Sequence, residues 1–266
     1  MTYKFIELDI KNYVATVTLA RLDSLNALSI ELANEITDIF KKLGTMEEVR
    51  AIILQSKARI FCAGLDLKDA ASGFGDSAKG VFNAIKRIQP LFDCCNVIEE
   101  CPKPVIAAVH GKCIGGGLDM IAACDIRICT EDAVFSLKEA NIGLVADMGV
   151  LQRLPLIVGH GFAREMAYTA GNYPARKAEK MGLVSDVYAN KEELLEAAQQ
   201  LASEIAANAP LAIQSTKEVL NFSRYTNVSE GMAFAVQKNM FLITTDDMKE
   251  AIIAFLEKRK PDFKGK

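Results

Sequence analysis

Asp119, Glu139 and Asp147 lie among mostly apolar or small neighbours, in a stretch that opens on Gly115-Gly116-Gly117. Carboxyl groups clustered in an apolar pocket push one another's titrations apart, so that one accepts a proton while another donates one. Taken singly, each acid also has a plainer reading. Asp119 falls in the first turn of a helix, where the dipole favours a negative charge. Glu139 simply follows Lys138, and Asp147, just ahead of Met148-Gly149, reads as the cap of the next helix. The combination of three acids with two glycine turns is what points to chemistry.

The glycines supply the complementary half. Gly115-Gly116-Gly117 join a buried strand to a helix, where the chain needs close backbone approach and the first helical amides have no partner. A developing negative oxygen is stabilised at such a place by the amides and the dipole behind them. Alone, a glycine triplet reads as a tight strand-to-helix turn. "FCAGLDL" (Phe61 to Leu67) repeats the arrangement after another strand. Two such turns would aim one N–H each at a single carbonyl oxygen, each donor being worth about 2.7–4 kcal/mol in the transition state.

Other chemistries fit less well. His110 ends a buried strand and reads as a hydrogen-bonded core residue, and His160 as a loop or cap residue. Neither has a nucleophile partner, and no GxSxG, GxGxxG or P-loop pattern is present. Cys124 and Cys129 lack the second pair or nearby histidine that a zinc site needs, so no metal is expected. The seven cysteines, an odd number without a secretion layout, read as reduced core thiols of an intracellular protein. The net charge of −3 offers no field for nucleic acid or an anionic membrane, and no apolar run reaches spanning length. The basic "EKRK" (Glu257 to Lys260) reads as a solvated face or tail.

The elements that must hold these groups follow from periodicity. With 266 residues, half of them hydrophobic, the chain can bury a large core. "KFIELDI" and "YVATVTLA" alternate as two strands around a turn at Lys11-Asn12. A helix capped by Ser29 runs to about Leu43, and "VRAIILQS" is a buried strand. From Ala71 to about Gly80 the composition predicts a mobile loop, and then a helix from about Val81 to Glu100. "PVIAAVHG" is a strand, "LDMIAAC" a helix, and "DIRICT" and "AVFSL" are strands. After Gly149 the pattern is helical to the end, with candidate helices over 149–158, 163–170, 175–181, 191–208, 211–222 and 228–256, so that a gap falls just after Val158 and the last stretch breaks near Thr244-Thr245-Asp246. Alternating β and α elements followed by helices predict an α/β layered core.

At this level the chain resembles the crotonase (enoyl-CoA hydratase/isomerase) superfamily over nearly its whole length. The resemblance is carried by "SLNALS", "FCAGLDL", "PKPVIAAVHGKCIGGGLDMIAACDIRI" and "LQRLPLIVG". Hydratases of that superfamily usually have Glu at the position of Asp119 and Gly at that of Asp147. The set Asp119, Glu139, Asp147 is instead similar to the Δ3,5-Δ2,4-dienoyl-CoA isomerases. The resemblance implies a spiral of ββα repeats over residues 1–200 and a C-terminal helical oligomerisation region over residues 201–266, in a homo-trimer or hexamer.

It further implies that Asp119, Glu139 and Asp147 are catalytic and that the amides of Leu65 and Gly116 form an oxyanion hole. Ala63, Gly64, Leu65, Asp66, Leu67 and Gly116 would contact the acyl-CoA substrate, with Phe263 reaching CoA across a subunit boundary. CoA would be part of the substrate, with no separate cofactor. The expected reaction, in fatty-acid β-oxidation, moves a proton from C2 to C6. Glu139 would act as base, Asp147 as acid and Asp119 in support. The expected setting is the cytoplasm of a bacterium, or else a mitochondrial or peroxisomal matrix. A hydratase or Δ3,Δ2-enoyl-CoA isomerase on the same fold is the nearest alternative, and a non-catalytic binding protein a more distant one.

Overall fold

A computed structural model describes residues 3–71 and 78–266. Residues 72–77 of the loop expected over 71–80 lie outside the described residues. The chain begins with β1 (Ile6–Lys11), β2 (Val14–Leu19), α1 (Ile30–Thr45), β3 (Ala51–Ser56), α2 (Leu67–Ala71) and α3 (Ala78–Glu100). There follow β4 (Val105–Val109), β5 (Lys112–Ile114), α4 (Gly116–Ala122), β6 (Ile126–Thr130), β7 (Val134–Ser136) and α5 (Val150–Thr169). The last third holds β8 (Tyr173–Pro174), α6 (Ala175–Lys180), β9 (Asp186–Tyr188), α7 (Lys191–Ala206), α8 (Pro210–Ser223), α9 (Val228–Leu242) and α10 (Asp246–Glu257).

The large sheet has the order β1-β2-β3-β4-β6-β9, antiparallel at β1-β2 and parallel thereafter. A second, smaller sheet has the order β5-β7-β8. Single bridges, Leu28 with Leu65 and Cys62 with Cys113, extend this second layer. From β3 to α5 each circuit of the chain thus leaves one strand in the large sheet and a short strand or bridge in the small layer before its helix, while the first circuit contributes both β1 and β2 to the large sheet. This is the expected ββα spiral. β5, β8 and β9, of two or three residues each, are not distinguishable in the sequence because so short a run carries no alternation.

The parallel strands are apolar throughout because both their faces are covered. On β3, Ile52 and Leu54 join the main core with α1, while Ala51 and Ile53 point to the other face. On β4, Val105, Ala107 and Val109 face the first layer, and Ile106 and Ala108 the second. α7 seals that second face with Leu194, Ala198 and Ala202, spaced at four residues on one helical side. The β1–β2 turn falls one residue later than expected: Asn12 and Tyr13 both have positive φ, the backbone of a two-residue hairpin.

Helix ends follow the local chemistry. Ser29, Asn190, Asn227 and Thr245 accept from backbone amides at the starts of α1, α7, α9 and α10. Pro210 opens α8. The break near Thr244 falls between α9 and α10 as expected. The one near Gly159 is a kink inside α5, where that residue leaves helical angles (φ 76°, ψ 158°) and His160 resumes the helix. His110 is buried, its Nε2 2.8 Å from the Ala58 carbonyl oxygen. All seven cysteines are buried and free.

Candidate active site

The two glycine turns meet. Cys62 and Cys113 bridge the strands that lead into them, with Cys62 N–H donating to the Lys112 carbonyl (3.1 Å) and Ile114 N–H to the Cys62 carbonyl (3.1 Å). A methyl group built on Gly116 would stand 3.8 Å from the Leu65 nitrogen. Neither the Leu65 nor the Gly116 N–H has a hydrogen-bond acceptor among the described residues.

The direction of both amides follows from the other end of their peptide units. Every peptide bond among the described residues is trans, so the C=O and N–H of one unit point opposite ways. The Gly64 carbonyl is held by the Leu28 N–H at 2.7 Å, which turns the Leu65 N–H away from Leu28. The Gly115 carbonyl accepts from Leu118 (2.6 Å) and Asp119 (3.1 Å) in the first turn of α4, which turns the Gly116 N–H out of the helix. Gly115 has φ +48° and ψ −118°, and a side chain there would meet Glu139 Oε1 at 2.9 Å. Glycine is required at that corner by its backbone angles, which side-chain-bearing residues rarely adopt, and a side chain there would also displace the Glu139 carboxyl.

A cavity of about 140 Å³ joins these turns to all three acids. Ala63, Gly64, Leu65 and Leu67 line it from the first turn, and Ile114, Gly115 and Gly116 from the second. Asp119, Glu139 and Asp147 lie on its wall with Lys138, Ile142, Leu144, Val145 and Met148. Asp66, expected at the substrate, does not line it, and Phe263, expected to reach CoA of a neighbouring subunit, lies elsewhere in the chain. Asp66 turns away into an ion pair with Arg21 (2.8 Å), and its charge is satisfied there. Phe263 belongs to a separate cavity between α8, α9 and α10, where its carbonyl accepts from Arg50 Nη2 at 2.7 Å. Ile142, Leu144, Val145 and Met148 are missed by sequence reasoning because an apolar residue in a loop carries no mark of what it lines.

The acids differ in setting. Asp119 is 1% exposed, and burial pushes its carboxyl up to about 7, with the charges of Glu139 and Asp147 adding to the effect. Its Oδ1 accepts from the Val150 N–H at 2.8 Å, so Asp119 caps α5 across the chain. The local cap expected of Asp147 is absent: the residue at that position is Gly149, and no side chain adjoining it caps the helix. Glu139 opens a short 3-10 turn (Glu139–Ile142). Its carboxyl is raised by burial first and by Asp147's charge second, against the pull of backbone amides at Lys138 and Glu139. Glu139 Oε2 is buried without a hydrogen-bond partner among the described residues, so one lone pair is open to a proton.

Asp147 stands at the rim and is exposed, yet the protein around it still raises its carboxyl. Water reaching the rim moderates that effect. Lys138, also on the wall, makes no ion pair with the three acids; its Nζ donates to the Ala170 carbonyl. Arg153 fastens the corner next to Asp147: Nη1 donates to the Met148 carbonyl (3.3 Å), while Nε and Nη2 bind Glu99 (3.1 and 2.8 Å). Glu99 is in turn paired with Arg224 at the end of α8.

Comparison with known proteins bears on the family. The chain is 40% identical over 271 residues to the peroxisomal Δ3,5-Δ2,4-dienoyl-CoA isomerase of Arabidopsis thaliana, covering 98% of each. It is 40% identical over 259 residues to the mitochondrial Δ3,5-Δ2,4-dienoyl-CoA isomerase of Homo sapiens, covering 94% of this chain and 78% of that one. Among solved structures, a putative enoyl-CoA hydratase from Streptomyces coelicolor superposes with a TM-score of 0.92 at 31% identity, over 100% of this chain and 96% of that one. The profile of the enoyl-CoA hydratase/isomerase family matches residues 9–266, and the chain belongs to that family.

Proposed function

We propose that the protein is a Δ3,5-Δ2,4-dienoyl-CoA isomerase. The observation that carries this reading is the single cavity that unites two unpaired backbone N–H groups with three acids. The relatives at 40% identity support the same activity. In the reaction, Glu139 takes a proton from C2 of the 3,5-diene through its open Oε2. The electron pair left behind delocalises onto the thioester oxygen, which the Leu65 and Gly116 amides hold more strongly in the transition state than in the substrate. The dienolate then collapses toward C6, where Asp147 donates a proton, leaving double bonds at C2 and C4. Asp119, whose carboxyl burial pushes up to about 7, relieves when protonated the repulsion that a third charge would exert on Glu139.

CoA enters as part of the substrate, and a proton-transfer reaction of this kind calls for no metal or redox cofactor. Ala63, Gly64, Leu65 and Leu67 form the strip along which the thioester end lies, with Asp66 fixing the strip through Arg21. Phe263 would act on a neighbouring subunit's site. The region 201–266 is assigned to assembly into a trimer or hexamer. Exposed Val228, Phe241, Phe255 and Leu256 on α9 and α10 support that assignment, since apolar patches of this kind mark interfaces. Among the described residues no helix is long and apolar enough to cross a membrane. A matrix or cytoplasmic setting is proposed from the mitochondrial and peroxisomal relatives and the bacterial ones.

Ultraviolet spectra test the reading directly. Incubation with a 3,5-dienoyl-CoA is expected to produce the absorbance of the conjugated 2,4-diene, while crotonyl-CoA is consumed slowly by comparison. The reverse ranking would favour hydration, the second reading, which the hydratase names of the solved relatives support. Turnover of neither, with tight binding of another protein, would favour a binding role.

A further inference from the structure

We propose that Leu28 is a positioning residue that sets the separation of the two N–H donors through a size fit with Gly116. The inference rests on the oxyanion reading above. Leu28 touches both turns at once. Its N–H holds the Gly64 carbonyl at 2.7 Å, its carbonyl accepts from Asp66 N–H at 3.0 Å, and it forms a bridge with Leu65. Its side chain, fully buried, lies against Gly116: a methyl built there would be 2.9 Å from Leu28 Cδ1, nearer than Cβ atoms come. The next neighbours of that methyl, Met148 Sδ at 3.5 Å and Leu65 N at 3.8 Å, leave it room. Leu28 Cδ1 therefore fills the space beside Gly116, adding a side-chain contact to the backbone hydrogen bonds of Cys62 and Ile114 that already join the two turns.

Leu28 is itself held. It precedes Ser29, whose hydroxyl caps α1 by accepting from Leu32 N–H at 3.2 Å. Upstream, the Leu25 carbonyl accepts from Ala63 N–H (3.0 Å), and buried Asn26 donates to Ser56 Oγ (2.8 Å) and the Phe61 carbonyl (3.0 Å). The segment "LNAL" is thus a rigid spacer between the donors. Positions of reacting groups matter at this scale: a misplacement of about 1 Å can cost about a hundredfold in rate.

A double-mutant cycle reads this fit. Leu28→Val removes Cδ1 and keeps a branched apolar side chain, while Gly116→Ala adds the methyl. Turnover of a 3,5-dienoyl-CoA is followed by absorbance, with circular dichroism melts confirming folding. Gly116→Ala is expected to lower kcat about a hundredfold and to leave KM within about twofold, since misaligned donors cost the transition state rather than substrate binding. Leu28→Val is expected to lower kcat several-fold. In the double variant the vacated Cδ1 space accepts the methyl, and kcat is expected to recover at least about tenfold over Gly116→Ala. Leu28→Ile, which keeps the side-chain volume but moves the branch to Cβ, substitutes in the same pairing if the valine variant fails to fold.

Losses that multiply in the double variant, or an equal fall in kcat/KM carried by KM, would overturn the role of Leu28. A wild-type protein inactive on the diene would instead overturn the isomerase reading. The same cycle is then run on crotonyl-CoA hydration, which needs the same two donors, and absence of coupling there overturns the inference as well.

Discussion

Replacing Asp119 by asparagine should stabilise the protein, and more so at alkaline pH. In the folded chain burial raises the Asp119 carboxyl from about 3.9 to about 7. The folded state therefore binds more protons than the unfolded one across this window, and stability falls as pH rises from about 4 to about 7. At 1.36 kcal/mol per unit, about three units give a full cost of about 4 kcal/mol above pH 7, of which about 2.5 kcal/mol accrues between about pH 5 and about pH 8. The asparagine side chain would keep an oxygen to accept the Val150 N–H and would carry no charge. Urea titrations and thermal melts at fixed protein concentration, run on both proteins at the two pH values, measure the difference. For a chain of this length the gap in Tm should widen by about 5 °C at the higher pH. A gap independent of pH would show that the buried carboxyl does not titrate in this window. A gap that narrowed with rising pH would mean that its charged form is favoured by folding, and the assignment of Asp119 as a proton-holding group would fail.

Glu139→Gln should abolish exchange of the C2 proton with deuterated water and lower kcat by about 10²–10⁴-fold, with the fold retained. Because burial raises Glu139, the acid limb of the kcat/KM profile should lie above the ordinary carboxylate range, activity being lost as the base is protonated on acidification. Gly115→Ala should place its methyl in the space of Glu139 Oε1 and reduce turnover at least about tenfold, while denaturant midpoints fall by the equivalent of about 1–3 kcal/mol for a side chain forced into a sparsely populated backbone conformation. Arg153→Met should destabilise the chain by about 3 kcal/mol in urea titrations, the lower end for breaking a buried pair, because Glu99 keeps Arg224.

The parts legible in the sequence are those whose cause is local. The two glycine turns can be placed because backbone conformation at a glycine is a short-range property, whereas the roles of the three acids rest on what the family resemblance implies. The apolar runs of β3 and β4 announce strands covered on both faces. What cannot be read is pairing at a distance. Asp66 sits in the same motif as Leu65, but its partner Arg21 lies in a different part of the chain. The cap of α5 comes from Asp119, more than a helix away in sequence, and not from the adjacent Asp147. Leu28 reads as one more core leucine, since nothing in its neighbours reveals that Gly116 abuts it.

The groups expected to grip the thioester oxygen are main-chain hydrogens aimed by their own carbonyls, whereas the groups that move protons are side chains on other segments. Substitution can therefore re-order which carbons exchange hydrogen while the carbonyl cradle stays intact. A scaffold divided in this way lends itself to new reactions on thioesters by swapping acids alone, and resists losing its grip through any single side-chain change that spares the glycines and their neighbouring spacer.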